Sequence, residues 1–258
     1  LPPGENLQAF CKDCAYLKGI WNGIYSLLTV EDADNKVVIV CLVVAHKENQ
    51  EMYRYMIHNA KRNPEMSAWL NKRSTTYFVD GHKGSEAGVP PAVPLAEQGR
   101  CVRHLANNIT PALGSTNFGH IFNAARAPTE ASSTYLLDKV KADKPQAYEK
   151  WMRIDPTLWA YHTRRDNRVW DQITTNMVES CNNMIGAVLR ERPVFDFTKG
   201  VMEMVAEKLH EAAQLKKGTR QVFTPWLEEV RDRELSWSKR LLVKTSSEGK
   251  YTVAMKTN

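Results

Sequence analysis

The nine-residue apolar run VVIVCLVVA, Val37–Ala45, constrains the fold of this chain more than any other segment. Its length and its β-branched residues predict a buried strand, since a helix that crosses a membrane needs about 20 apolar residues. Two further strand patterns, LQAFCKDCAYL and GIYSLLTVE, precede it with short connections. We therefore predict an antiparallel meander of three strands at the start of the chain, and no membrane span.

Helical and strand patterns alternate after this meander. The segment NQEMYRYMIHNAKRN predicts a helix, and TTYFVD predicts a further strand. Pro90, Pro91 and Pro94 predict that any helix between residues 84 and 99 is short or broken, and GRCVRHLANNI predicts a strand end followed by a helix. Short helical patterns occupy residues 117–155, and longer ones are expected at Thr174–Arg190, Phe195–Lys217 and Pro225–Val243, before a last strand in GKYTVAM. This order predicts an α/β fold interrupted by an all-helical insert.

Two aspartates lie in or at the end of predicted strands. Asp13 is inside LQAFCKDCAYL, where aspartate is uncommon because an unpaired buried charge is costly. It is either an outward-facing residue of a half-exposed strand or a functional carboxylate. Asp80 ends the strand TTYFVD and precedes Gly81, so it is either the start of an Asp-Gly turn or a metal ligand held at a strand end.

A third acid, Glu179, lies in the predicted helix TTNMVESCNNMIGAVLRER. The apolar residues of this helix recur with a helical period, and Asn176 and Glu179 belong to a separate polar stripe. If Asn176 were the N-cap, Glu179 would complete a capping box, which requires no catalysis. Alternatively, Asp13, Asp80 and Glu179 supply the carboxylates on two strands and a helix that two-metal phosphoryl transfer requires.

The five cysteines form no closely spaced, even framework, which favours a reducing compartment. Cys11 and Cys14 make a CxxC pair that no second pair accompanies, so zinc or redox chemistry there is weakly indicated. Cys101 and His104 are too few for a structural zinc site, which needs four ligands. Core packing and a role near the predicted acids both remain open for them.

Four motifs occur together and in order: DCAYLKG, VDGHKG, RCVRHL and TNMVESCNN. Together they resemble the transposase domain of Mutator-like elements over about residues 8–211. The resemblance implies an RNase H-like fold, a mixed sheet flanked by helices, in which Asp13, Asp80 and Glu179 are catalytic and bind two Mg²⁺ (or Mn²⁺) ions. Supporting roles are implied for three neighbouring residues, namely Cys101, His104 and Asn176. The family has Gly-Thr where this chain has Cys14 and Ala15, and it has a helix where this chain has the proline-rich stretch 88–94.

The resemblance also divides the chain. Residues 1–104 and 171–217 are expected to form the catalytic core, and residues 105–170 a helical insertion. Residues 218–258 are expected to be a helical tail leading to a SWIM-type zinc module outside this sequence, so we interpret the chain as a piece of a longer protein. A homo-oligomer and a nuclear location are further expectations from the family.

The expected partner is DNA, both at the terminal inverted repeats of the element and at the target. The formal net charge of +6 suits a polyanionic partner. Arg164, Arg165 and Arg168 lie beside aromatic residues in YHTRRDNRVW, which is typical of phosphate contact and base stacking. A solvated connector explains the same segment. The alternative functions are a domesticated, non-cleaving DNA-binding transcription regulator and an inactive fragment of a decayed element.

Overall fold

A five-stranded mixed sheet organises the N-terminal part of the chain in the computed structural model, which describes residues 9–32, 34–109, 113–164, 173–218, 224–247 and 250–255. The strands are β1 (Ala9–Tyr16), β2 (Ile24–Glu31), β3 (Val37–Ala45), β4 (Thr76–Val79) and β5 (Glu97–Arg100). Their order is β3-β2-β1-β4-β5. The first three strands are antiparallel, whereas β4 runs parallel to both β1 and β5. The predicted meander is confirmed.

Ten α-helices and a separate hairpin complete the described structure. The helices are α1 (Gln50–Ala60), α2 (Pro64–Leu70), α3 (Lys83–Ala92), α4 (Val102–Ile109), α5 (Gly114–Arg126), α6 (Glu130–Asp143), α7 (Pro145–Met152), α8 (Asn176–Arg190), α9 (Val194–Gly218) and α10 (Pro225–Ser238). Two 3₁₀ turns, Pro156–Leu158 and Tyr161–Thr163, follow α7. The hairpin pairs β6 (Leu241–Ser247) with β7 (Lys250–Met255). None of the described helices has the length and apolar character that crossing a membrane requires.

Side chains alternate between the two faces of each strand. The main sheet therefore has an apolar cluster on each face, and helices cover both. Phe10 and Tyr77 belong to the apolar cluster that includes Tyr53 of α1. Cys11 and Phe78, each one residue further along, belong to the cluster that α8 and α9 complete. The α/β class and a mixed sheet flanked by helices therefore match the prediction.

A third apolar cluster lies within the helical block α4–α7. Trp151 and Trp159 are its largest residues, with their rings 4.9 Å apart, and Val102 and Ile173 lie at its two ends along the chain. A backbone hydrogen bond of 2.9 Å from Val102 to Ile173 closes the block where the chain enters and leaves it. The described parts of residues 102–109, 113–160 and 173 therefore share one apolar cluster.

Several local predictions needed correction. The connection predicted to be polar contains α2, which buries Trp69 and Leu70, and the N-cap Asn63 followed by Pro64 was an available signal for it. The helix in the proline-rich stretch is short, as predicted: α3 has ten residues, contains Pro90 and Pro91 near its C-terminal end and ends at Ala92.

The C-terminal predictions were also partly wrong. The helix predicted to reach Val243 ends at Ser238, because Leu241–Ser247 pairs with Lys250–Met255 as a strand. The last predicted strand, in GKYTVAM, is confirmed as β7, and it belongs to a separate two-stranded sheet. Backbone pairing with a partner segment decides between helix and strand here, and the local sequence does not show that partner.

The end of β1 meets the end of α8 at Gly19. A Cβ at this position would lie 2.4 Å from the backbone oxygen of Glu191, so no side chain fits. The neighbouring Lys18 donates its backbone N–H to Arg190 at 2.9 Å. The Leu-Lys-Gly motif therefore fixes α8 against the strand that carries Asp13.

Candidate active site

Asp13 and Asp80 lie on neighbouring parallel strands at the centre of the sheet. The pairing of β1 with β4 places Cys11 opposite Phe78, and two residues further along each strand come Asp13 and Asp80. Adjacent strands are about 4.8 Å apart, and residues two apart on a strand share a face. The two aspartates therefore lie at the same end of neighbouring strands. Asp13 faces α8, whereas Asp80 follows the last residue of β4 and its Oδ1 contacts Lys12, which belongs to the other face of the sheet.

The two carboxyl groups differ in their acidity. Burial and the charge of Asp80 together raise the pKa of Asp13 to about 6, although a 2.7 Å hydrogen bond from the Cys14 N–H acts to lower it. Burial also acts to raise the pKa of Asp80, but the Lys12 ammonium and the His82 N–H outweigh it, so this pKa is lowered. Paired acids with separated pKa values are typical of functional sites.

Asp80 also forms the turn that its sequence allows. The His82 N–H donates to its Oδ1 at 3.2 Å, and Gly81 has φ = 92°, which a side chain would strain. The Nδ1 of His82 then accepts from the Gly84 N–H at 3.1 Å and caps α3. The turn and the placement beside Asp13 are therefore compatible properties of one residue.

Cys101 joins three elements near the acids. Its backbone N–H donates to Val79 at 2.8 Å, and its buried sulfur accepts from the Thr175 N–H at 3.3 Å. Cys101 is therefore buried and ties α4 to the start of α8, while the supporting role predicted for it stays a prediction. Hydrogen bonds from His104 and Thr175 lower the pKa of the Cys101 thiol although burial acts to raise it.

His104 lies on α4, and its charge acts to lower the pKa of both Asp13 and Asp80. The Cys101 sulfur raises its pKa to about 9 although burial acts to lower it, and the charges of Asp13 and Asp80 raise it as well. These contacts favour the protonated form of the imidazole. A positive side chain beside two carboxylates suits an anionic substrate group, although the supporting role predicted for His104 stays a prediction.

Glu179 forms an ion pair instead of a helix cap. Its Oε2 accepts from Nη1 of Arg103 at 3.0 Å. The helix begins at Asn176 with Thr175 in the N-cap position and without a side-chain cap bond, so the capping-box alternative is wrong. Asn176 is exposed in the first turn. Because α8 packs on β1, β2 and β3, Glu179 lies over the sheet face that carries Asp13.

The three acids do not form a ready cation cage. Among the described residues, no group of three or more His, Cys, Asp and Glu side chains is arranged to hold a metal ion. Asp13 and Asp80 are adjacent, whereas Glu179 is engaged by Arg103. Since Mg²⁺ often takes only one or two carboxylates from a protein, the aspartate pair fits such an ion by its donor chemistry, and Glu179 would have to leave Arg103 to join it.

The structure places four further residues around this site that the sequence did not single out. Lys12 contacts Asp80 and lies 4.0 Å from Glu48. Tyr53 contacts both Lys12 and Glu48, and Arg103 contacts Glu179. A lysine beside an aspartate within a strand was a signal for the first of these, because one of two consecutive strand residues must face the core. Nothing in the local pattern indicated the other three.

The CxxC pair cannot share an ion. Cys11 directs its sulfur to the Thr174 carbonyl on one face of the sheet, at 3.6 Å. Cys14 directs its sulfur to the Tyr53 hydroxyl on the other face, at 3.1 Å. Their separation by three positions on a strand causes this divergence, and both are free thiols.

The predicted DNA-binding arginines need a correction. Arg164 is 4% exposed, donates to the Thr157 carbonyl at 2.9 and 3.1 Å, and lies 5.3 Å from the centre of the Phe78 ring. In this position it packs the helical block against the sheet and does not face a DNA phosphate. Arg165 and Arg168 lie outside the described residues, so their predicted role is untested.

The fold and the paired aspartates define an α/β protein with an enzyme-like acidic site. A family model described as "Transposase, Mutator family" matches residues 28–218. The chain therefore belongs to the Mutator family of transposases, and such proteins act on DNA. Among curated proteins, none matches the sequence. The family match begins within β2 and does not include Asp13. The assignment of Asp13 to the site therefore depends on the register of β1 with β4 and on the motif DCAYLKG.

Proposed function

We propose that this chain is the catalytic domain of a DDE transposase, with an RNase H-like core in residues 1–104 and 171–217. The observation that carries the proposal is the placement of Asp13 beside Asp80 on adjacent parallel strands, under the helix that carries Glu179. The reaction would be cleavage of a DNA strand at the element end, followed by attack of the freed 3′-hydroxyl on target DNA.

Asp13, Asp80 and Glu179 would hold two Mg²⁺ or Mn²⁺ ions. Such ions polarise the phosphoryl group and activate the attacking oxygen. The protein residues would contribute position and charge: Asp80 is held by the His82 N–H and by Lys12, and α8 carries Glu179 on the rigid face of the sheet.

Two cationic side chains support binding of the DNA backbone at this site. Cys101 and the two aspartates raise the pKa of His104, which favours its charged form, and the side chain of Arg103 is half exposed beside Glu179. Phosphate oxygens are the commonest targets of such groups in DNA complexes. The remaining parts of the proposal are a helical insertion at residues 105–170, a tail at residues 218–258, action in the nucleus and assembly as a homo-oligomer.

One observation favours the second candidate, a non-cleaving DNA-binding regulator. Glu179 is paired with Arg103, and the described residues contain no three-ligand cation site. An enzyme must release this pair before all three acids can bind ions. A regulator derived from a transposase would retain the fold and the DNA surface without that step.

A divalent-cation-dependent nicking assay on DNA that carries element ends separates the candidates. The wild-type protein should nick with Mg²⁺ or Mn²⁺, and Asp80→Asn should lose most of this activity because the amide is a poor cation ligand. Asp138→Asn, on the exposed face of α6, is the matched control and should nick normally. Equal nicking by the wild type and Asp80→Asn would remove Asp80 from the mechanism, and specific DNA binding without nicking would favour the regulator.

A further inference from the structure

Lys12 is a fully buried cation in the central strand. Its exposed fraction is 0%, although lysine is rarely buried unless it is paired. It precedes Asp13 directly, so it faces the opposite side of the sheet. A charge in this position requires partners that offset its desolvation.

Those partners come from separate elements. The Nζ of Lys12 lies 3.4 Å from Oδ1 of Asp80 and 4.0 Å from Oε1 of Glu48. It also lies 3.9 Å from the centre of the Tyr53 ring, a cation–π distance. Lys12 is thus fixed by the end of β4, by the loop before α1 and by α1 itself.

Glu48 is itself held in place. The Tyr53 hydroxyl donates to its Oε1. The sulfur of Cys14 contacts the Tyr53 hydroxyl at 3.1 Å. These contacts surround the Lys12 ammonium with groups of defined position, which lowers the freedom of the lysine side chain.

The consequence for Asp80 is directional. Its Oδ1 accepts from two donors, the Lys12 ammonium at 3.4 Å and the His82 N–H at 3.2 Å. Both donors engage Oδ1, so they fix one oxygen of the carboxylate, and neither of them occupies Oδ2, which stays available for a cation. Partners behind a ligand often fix its orientation in this way.

We propose that Lys12, held by Glu48 and Tyr53, is a positioning residue that orients the Asp80 carboxylate for a divalent cation. The inference rests on the proposed function and adds a group on the back of the sheet to it. A lysine this close also repels a cation, so the benefit of Lys12 is a fixed carboxylate and not a higher local negative charge.

A purely structural role for Lys12 predicts a different result. Lys12→Met alone leaves Glu48 and Asp80 without their buried cation, so a lower melting temperature and lower activity are expected from either role. Lys12→Met combined with Glu48→Gln removes one positive and one negative charge. The net charge of the cluster is then unchanged, and stability should recover.

The test measures three quantities on the double variant: its melting temperature, its nicking rate at saturating Mg²⁺ and its affinity for Mn²⁺ alone by calorimetry. We expect a melting temperature close to that of the wild type, with nicking and Mn²⁺ affinity each lowered about 10–100-fold. Because the net charge is conserved, the lower Mn²⁺ affinity reports the lost orientation of Asp80. Lys199→Met, which removes an exposed helix ion pair with Glu203, is the control and should change none of the three.

The outcomes separate the two proposals. Wild-type nicking and Mn²⁺ affinity in a stable double variant would overturn the positioning role while the proposed function stands. Wild-type protein that neither nicks nor binds Mn²⁺ would overturn the proposed function and this inference with it. A double variant that melts as low as Lys12→Met would also count against it, because charge balance would then not explain the cluster.

Discussion

Replacing Asp13 by asparagine should stabilise the protein while it removes the activity. The pKa of Asp13 is raised to about 6 by burial and by the charge of Asp80, so the ionised carboxylate is held at a cost at neutral pH. Asparagine resembles the neutral carboxyl group in size and shape and avoids this cost. Stability that increases when a polar group is changed is a mark of residues retained for function.

The magnitude follows from linkage. The pKa of Asp13 changes from 3.8 to about 6 on folding, and each unit corresponds to about 1.36 kcal/mol. We therefore expect Asp13→Asn to raise the free energy of unfolding at pH 7 by about 2–3 kcal/mol. The sign fixes the pH window. The folded state binds the proton more tightly, so the wild type loses stability as pH rises from about 4 to about 6. Asp13→Asn lacks this loss of stability. The difference in the free energy of unfolding between the variant and the wild type should therefore vanish near pH 4.

Urea unfolding between pH 4 and pH 8 in the presence of a chelator measures this difference. Asp80→Asn is an informative counterpart because the pKa of Asp80 is lowered, so its loss should destabilise the protein at pH 7. Asp138→Asn, on the exposed face of α6, should change stability by less than about 0.5 kcal/mol. If Asp13→Asn proved no more stable than the wild type at pH 7, the electrostatic conflict between Asp13 and Asp80 would be refuted.

The remaining predictions concern the packing around the site. Gly19→Ala places a Cβ 2.4 Å from the Glu191 backbone oxygen and should destabilise the protein by about 1–3 kcal/mol in urea unfolding. Gly119→Ala, which meets nothing within 4 Å in the middle of α5, should stabilise it by up to about 1 kcal/mol. Cys101→Ala removes the largest cause of the raised pKa of His104, so NMR titration of that imidazole should give a pKa below about 9.

Each of these predictions has a clear contrary result. Equal effects of the two glycine substitutions would mean that the contact between β1 and the end of α8 is not tight. An unchanged His104 titration in the Cys101 variant would leave the two aspartates as the source of its raised pKa, since they are the remaining charges that raise it.

Much of the site was predictable because its residues break local rules. An aspartate within a strand pattern and another directly after a strand pattern conflict with packing, and such conflicts concentrate at functional positions. The same reasoning did not find Glu48, Tyr53 or Arg103, because each is an ordinary residue in its own segment. They become site residues only through contacts with side chains far away along the chain.

The sequence by itself determined most of the strands and helices and the acids that interrupt them, since periodicity and side-chain chemistry are local properties. It did not determine α2 or the strand β6. The tertiary structure decided which partner each acid has. Parallel pairing of β1 with β4 sets Asp13 beside Asp80, and burial and charge then separate their pKa values. The ion pair between Arg103 of α4 and Glu179 of α8 forms only when these two helices come together. Local pattern cannot encode these outcomes, because electrostatic energies depend on distance through space and on burial, and both arise only when the chain is folded.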